Sequence, residues 1–278
     1  MLLLHSILNL VALLLWVNWR GMGFKEYVPY RSTLVHTLRS AEPELQRRWG
    51  YLVGLLALLL FRGLLYQMVG PGLKWVPVID LGVITLPFRS DQPWRMTLYS
   101  LLSFVVLWVA FQICLLLLSV INRSLPDTRP VQHLVRLHLG RIERWPLAVK
   151  LLLPLLGGLL WLPVHPLLSA IGMLPAAASF RLVAEQAVVL AFVSLLAWKY
   201  LLLGVLVVHV VNSHVYFGRF QLLDFASDTA RNVLSVLRAV PLQIGRIDLA
   251  PFVMGGLVWA AAWGFELGLV ALFRRLPL

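Results

Sequence analysis

Leu98-Tyr-Ser-Leu-Leu-Ser-Phe-Val-Val-Leu-Trp-Val-Ala-Phe-Gln-Ile-Cys-Leu-Leu-Leu-Leu-Ser-Val-Ile121 runs for 24 residues without one charged side chain. About 20 mainly apolar residues carry a helix through a bilayer core. No water reaches the backbone there, so it must satisfy its own hydrogen bonds, which selects helix over strand. Five more stretches read the same way: residues 2–17, 51–70, 147–170, 186–211 and 250–273. The first has only 16 residues, but no basic n-region precedes it and no small-x-small cleavage site precedes Asn18. It is therefore expected to be a retained span rather than a signal peptide. Pro154, Pro163 and Pro166 interrupt the fourth. Each proline removes a backbone donor, which predicts a kink or partial re-entry there.

Composition leads to the same class. Of 278 residues 60% are apolar and 13% charged, and the mean hydropathy is +0.84. Soluble domains carry about 45–50% apolar and about a quarter charged residues. A cytosolic globular protein and a disordered chain are both excluded. Twenty-four Lys and Arg against 12 Asp and Glu give a net charge of +12. The cations fall between the apolar runs, so the bilayer accounts for them and no nucleic-acid partner is expected. The lone Cys114 leaves no disulfide framework and no cysteine metal cage. The expected fold is all-α, a single integral membrane domain over residues 1–278 with six transmembrane helices.

Loops 18–50, 122–146 (with Lys150 just beyond) and 212–249 hold sixteen of the cations, and the other side holds six. Arg62 and Lys199 lie within spans. The positive-inside rule makes the sixteen-cation side cytoplasmic and puts both termini on the opposite side.

A threefold pattern runs through the chain, over roughly 1–70, 98–170 and 186–273. A span ends in an asparagine (Asn18, Asn122 or Asn212), a basic amphipathic stretch follows, and a second span carries early glycines. Those glycines are Gly54, the pair at 157 and 158, and the pair at 255 and 256. In the third copy Leu222, Leu223, Ala226, Ala230, Val233, Leu234 and Leu237 form one helical stripe. The second aligns Val131, Leu134, Val135, Ile142 and Trp145, and the first Leu34, Val35 and Leu38. Each is expected to lie in the cytoplasmic interface, apolar side in lipid, with Arg136, Arg141, Arg144 and Arg231 facing anionic headgroups or a partner. A loop helix packed on its neighbours is the competing reading.

Residues 238–251 read Arg-Ala-Val-Pro-Leu-Gln-Ile-Gly-Arg-Ile-Asp-Leu-Ala-Pro. This resembles the signature of the YggT family of small integral membrane proteins, roughly R-x-x-x-P-P-x-G-G-x-D-x-S-P before a span. Arg238, Gly245, Asp248 and Pro251 match in register, while Arg246 replaces the second glycine and Ala250 the serine. The resemblance implies a non-catalytic factor of the bacterial inner membrane, assisting other integral membrane proteins within a larger complex. Relatives in that family are connected with osmotic tolerance, cell division, nucleoid organisation and, in plastids, cytochrome-complex assembly. Family members usually have two units of this kind, and this chain has three. In physical terms Asp248 suits the amides that open the last span, and Pro251 its first turn.

No metalloprotease, P-loop, nucleophile-elbow or paired-cysteine pattern is present, so no enzyme is expected. His209 and His214 are five apart, one more than the ligand spacing on a helix face. No cofactor is expected, and haem ligation by His209 is the weaker reading beside a hydrogen-bonded interface histidine. Arg62, Lys199 and Glu266 lie well inside spans two, five and six. A lone charge at a helix centre costs about 2.5–3.5 kcal/mol on insertion scales, so such groups pair or face water. Helix depth puts Arg62 within reach of Glu266, and its planar fork, which gives a carboxylate two parallel hydrogen bonds, favours it over the rival Lys199. The alternative function is transport of an ion or osmolyte, with these charges marking the path.

Overall fold

The computed structural model describes residues 2–21, 42–73, 75–82, 84–90, 92–123, 130–174, 177, 179–215, 221–237, 240, 242–244 and 247–275, with backbone alone for 2, 42–48, 130, 244 and 247. The stripe at Leu34, Val35 and Leu38, and the motif residues Arg238 and Gly245, lie outside these. The fold is all-α, and among the described residues six helical segments are long and apolar enough to cross a membrane: Leu3–Gly21, Trp49–Val69, Pro93–Ile121, Leu147–Ala170, Phe180–His214 and Ala250–Arg274. The protein is a multi-pass membrane protein. Its contacts divide it into two compact units, residues 1–80 with 85–109, and residues 81–84 with 110–278.

The first unit holds α1 (Leu2–Gly21), α2 (Glu42–Val69), a hairpin of β1 (Val78–Asp80) and β2 (Thr85–Pro87), and the opening of α3 (Pro93–Ile121). Ala12, Leu55, Leu59 and Phe104 form its apolar centre, with Trp16 packed against them. In the hairpin Ile79 pairs with Leu86, and both are buried between exposed neighbours. Gly63 lets α2 and α3 close up, because a Cβ there would lie 2.8 Å from the Thr97 Cα.

The second unit begins with the rest of α3. It continues with α4 (Pro130–Leu139), a 3-10 turn at Gly140–Arg144, α5 (Leu147–Leu159), α6 (Trp161–Ala170), α7 (Phe180–Leu195) and α8 (Ala197–His214). It ends with α9 (Gln221–Leu234), a two-residue hairpin of β3 (Gln243–Ile244) and β4 (Ile247–Asp248), and α10 (Ala250–Arg274). The fourth span breaks at Leu160, within the proline-rich stretch, and the fifth at Leu196. The fifth also starts earlier than its apolar run, because Ser179 Oγ accepts from the Leu182 amide and caps α7. At Gly158 a Cβ would sit 2.3–2.4 Å from Ala191 backbone atoms, so α5 and α7 touch main chain to main chain. Gly157 and Gly256 have open space, and a Cβ at Gly255 would meet only a Leu203 methyl at 3.9 Å.

The two described amphipathic helices use their stripes differently from the expectation. Val135 and Leu139 of α4 are buried against Leu115 and Leu116 of α3. Ala230 of α9, with Val233, Leu234 and Leu237, packs on Val205 and Leu206 of α8 and Met254 of α10. Protein covers this part of the two stripes; Leu134, Trp145 and Leu222 remain exposed. Burying apolar area on a neighbouring helix removes the need to bury it in the bilayer.

Candidate functional site: polar groups within the spans

Three helices aim polar side chains at Arg62, which has no solvent exposure. On α1, His5 and Asn9 are four residues apart and share a face; on α2, Arg62 and Tyr66 do the same. The start of α3 contributes Tyr99, Ser100 and Ser103. Arg62 Nε donates to Ser100 Oγ (3.0 Å) and Nη2 to the Ser100 carbonyl (2.7 Å). Nη2 also donates to Ser103 Oγ, and Nη1 to Asn9 Oδ1. Ser100 Oγ donates to the Leu59 carbonyl at 2.7 Å, and Ser103 Oγ to the Ser100 carbonyl at 3.0 Å.

The network continues through His5. Asn9 Nδ2 donates to His5 Nε2 (2.9 Å), which leaves Nδ1–H to meet Tyr66 Oη at 3.0 Å. Tyr66 lies under the guanidinium, 5.6 Å from ring centroid to Cζ, and packs against Tyr99 and Trp75. Four of the five guanidinium N–H groups are thus met by neutral acceptors. No described carboxylate contacts it. The group binds three helices together while keeping its charge.

Glu266 is held by Lys199, with Nζ 2.9 Å from Oε2, and this corrects the expected preference for Arg62. The physical reason is that Arg62 finds enough acceptors on α1 and α3, which sequence depth alone did not reveal. Lys199 also lies 5.1 Å from the Tyr200 ring centroid. The pair joins α8 to α10, and the Glu266 side chain keeps 45% exposure.

Polar joints missed at the sequence level occupy the loop ends. Lys150, counted there among loop cations, is buried and donates to Ser119 Oγ (2.8 Å) and to Glu143 Oε2 (3.2 Å). Ser119 Oγ also donates to Glu143, and Arg136 Nε lies 3.6 Å from the other carboxylate oxygen. Asn122 donates to Thr229 Oγ1 (2.8 Å) and accepts from Asn232 (3.0 Å), while Asn212 donates to Ser227 Oγ (3.0 Å). Two of the three span-ending asparagines therefore anchor one helix, α9. Their recurrence was the available signal, although it did not disclose the partner.

Of the motif residues, Asp248 Oδ1 accepts from the Ala250 amide at 2.9 Å, as its capping role requires, and Pro251 is buried in the first turn of α10. Arg141 and Arg144 are exposed, as is Arg231, which pairs with Asp228 at 3.6 Å. Among the described residues no group of three His, Cys, Asp or Glu is close enough to share a metal ion. His209 Nδ1 is buried without a hydrogen-bond partner among them. It lines two cavities, of about 370 and 490 Å³, that also share Arg231. Compared with family models, curated proteins and solved structures, the chain has no match.

Proposed function

We propose that the chain is a non-catalytic integral membrane factor of YggT type, which assists membrane-protein partners in structure or assembly. The observation that carries this reading is the closure of the Arg62 network. A fully buried cation whose N–H groups end on side chains and carbonyls of the same three helices works as a joint. The capped entry to α10 at Asp248 and Pro251 supports the resemblance at residues 238–251. The reading puts the protein in a bacterial inner membrane, with the basic loops cytoplasmic and both termini opposite. Exposed Arg141 and Arg144 are then free to face anionic headgroups or an acidic partner surface.

Purification from native membranes in mild detergent tests the proposal. A second integral membrane protein should co-elute at fixed stoichiometry, and elution of this chain alone would contradict it. Transport of an ion or osmolyte is the second reading, favoured by the absence of a described carboxylate beside Arg62. Purified protein in liposomes should show no flux of such solutes on the first reading, and Arg62-dependent flux on the second.

A further inference from the structure

The two cavities meet at a wall made by His209 of α8 and Arg231 of α9. On one side the lining is polar, with Asn212, Asp224 and Ser227. On the other Leu234, Leu237, Val240 and Leu242 predominate, together with Gln243 and Asp248. Both volumes fall at the size of small-molecule sites, about 300–1,000 Å³. His209 and Asn212 occupy the last two turns of the fifth span, which ends at His214. The wall is therefore at the depth where lipid headgroups begin.

The charge layout of the described residues points to the occupant. Arg231, whose Nη1 lies 3.6 Å from Asp228 Oδ1, supplies a cation at the wall with its other N–H groups, and His209 adds a buried ring nitrogen that has no hydrogen-bond partner among the described residues. With a proton on Nδ1 that nitrogen donates toward an acceptor oxygen. A phosphodiester suits the pair, since guanidinium forks match phosphate oxygens. Beyond the wall the polar cavity carries carboxylates, Asp224 and Asp228 four residues apart on one helical face. A purely anionic headgroup would meet repulsion there, whereas a primary ammonium one linker away from its phosphate would find acceptors.

We propose that this groove holds one amine-bearing zwitterionic phospholipid, of the phosphatidylethanolamine class. Its phosphate rests on Arg231 and His209, its ammonium on Asp224, and an acyl chain in the cavity lined by Leu234, Leu237, Val240 and Leu242. The site does not depend on which partner the protein assists.

Delipidated full-length protein in detergent is titrated with dioleoyl phosphatidylethanolamine, phosphatidylcholine or phosphatidylglycerol, and binding is followed by native mass spectrometry and thermal stability. Phosphatidylethanolamine should bind at least tenfold tighter than either of the others, and as a single copy. Arg231→Gln, an exposed position, should weaken it tenfold or more with the apo-protein melting point unchanged. Asp224→Ala should bring the phosphatidylethanolamine and phosphatidylcholine affinities together, because it removes the acceptor to which a primary ammonium can donate and a trimethylammonium cannot. Tighter binding of phosphatidylglycerol, no saturable binding of any lipid, or an unchanged preference in Asp224→Ala would each overturn the proposal.

Discussion

Lys199 and Glu266 meet at 2.9 Å across two spans, with Lys199 three residues beyond the break at Leu196 and Glu266 eight residues before the end of α10. The pair is open on one side, so its stabilisation is modest. Polar couplings inside membranes average about 0.6 kcal/mol and reach about 1.7 kcal/mol. A double-mutant cycle of Lys199→Met with Glu266→Leu should give a coupling in that range by thermal unfolding in detergent. The same cycle between Arg62 and Glu266 should give none.

Arg62 should tolerate no replacement, lysine included. Its planar fork reaches acceptors on α1 and α3 together, and a lysine ammonium offers three donors from one point. Arg62→Lys should cost about 2 kcal/mol or more, and Arg62→Met should leave Asn9, Ser100 and Ser103 short of a donor. Equal melting points for wild type and Arg62→Lys would contradict the assignment.

The spans themselves were legible because charge-free runs near 20 residues have no other stable solution in lipid. All six were located, the widest misses being the starts of the third at Pro93, five residues early, and of the fifth at Phe180, six residues early, which its cap at Ser179 would have signalled. The partners of the charges were not legible. Depth along a helix axis and the fork of a guanidinium say nothing of which faces turn toward each other, so the sequence favours the Glu266 carboxylate for Arg62 over the neutral hydroxyls of Ser100 and Ser103. The amphipathic stripes of α4 and α9 were correct as stripes, but periodicity does not distinguish a lipid surface from a neighbouring helix. The hairpins at 78–87 and 243–248 were missed because such short strands carry too little alternation to register.

The glycines give a paired prediction. Gly158→Ala should destabilise strongly, by about 2 kcal/mol or more, since the new methyl would overlap Ala191 backbone that cannot yield without parting α5 from α7. Gly157→Ala meets nothing within 4 Å and should be neutral or stabilising by up to about 1 kcal/mol, from helix propensity alone. Thermal unfolding of the two variants side by side checks the packing, and an equal response would refute it.

Asp248→Ala should cost about 1 kcal/mol through the lost bond to the Ala250 amide, whereas Asp248→Asn should keep most of it, because asparagine accepts from the same amide. If both substitutions cost the same, the carboxylate charge and not the cap geometry is what α10 requires.

Closure of the Arg62 network against water is the central claim, and thiol labelling of Ser103→Cys in a Cys114→Ser background addresses it most directly. Ser103 touches Arg62 and is buried; Thr85→Cys in the exposed hairpin and Arg141→Cys in a basic loop serve as controls for the two sides. The account predicts that a membrane-impermeant thiol reagent modifies Thr85→Cys from outside and Arg141→Cys from the cytoplasmic side only. It predicts that Ser103→Cys stays unmodified from both sides. Rapid modification of Ser103→Cys from either side, in protein that keeps its melting point, would contradict the account and make Arg62 part of a water-filled path.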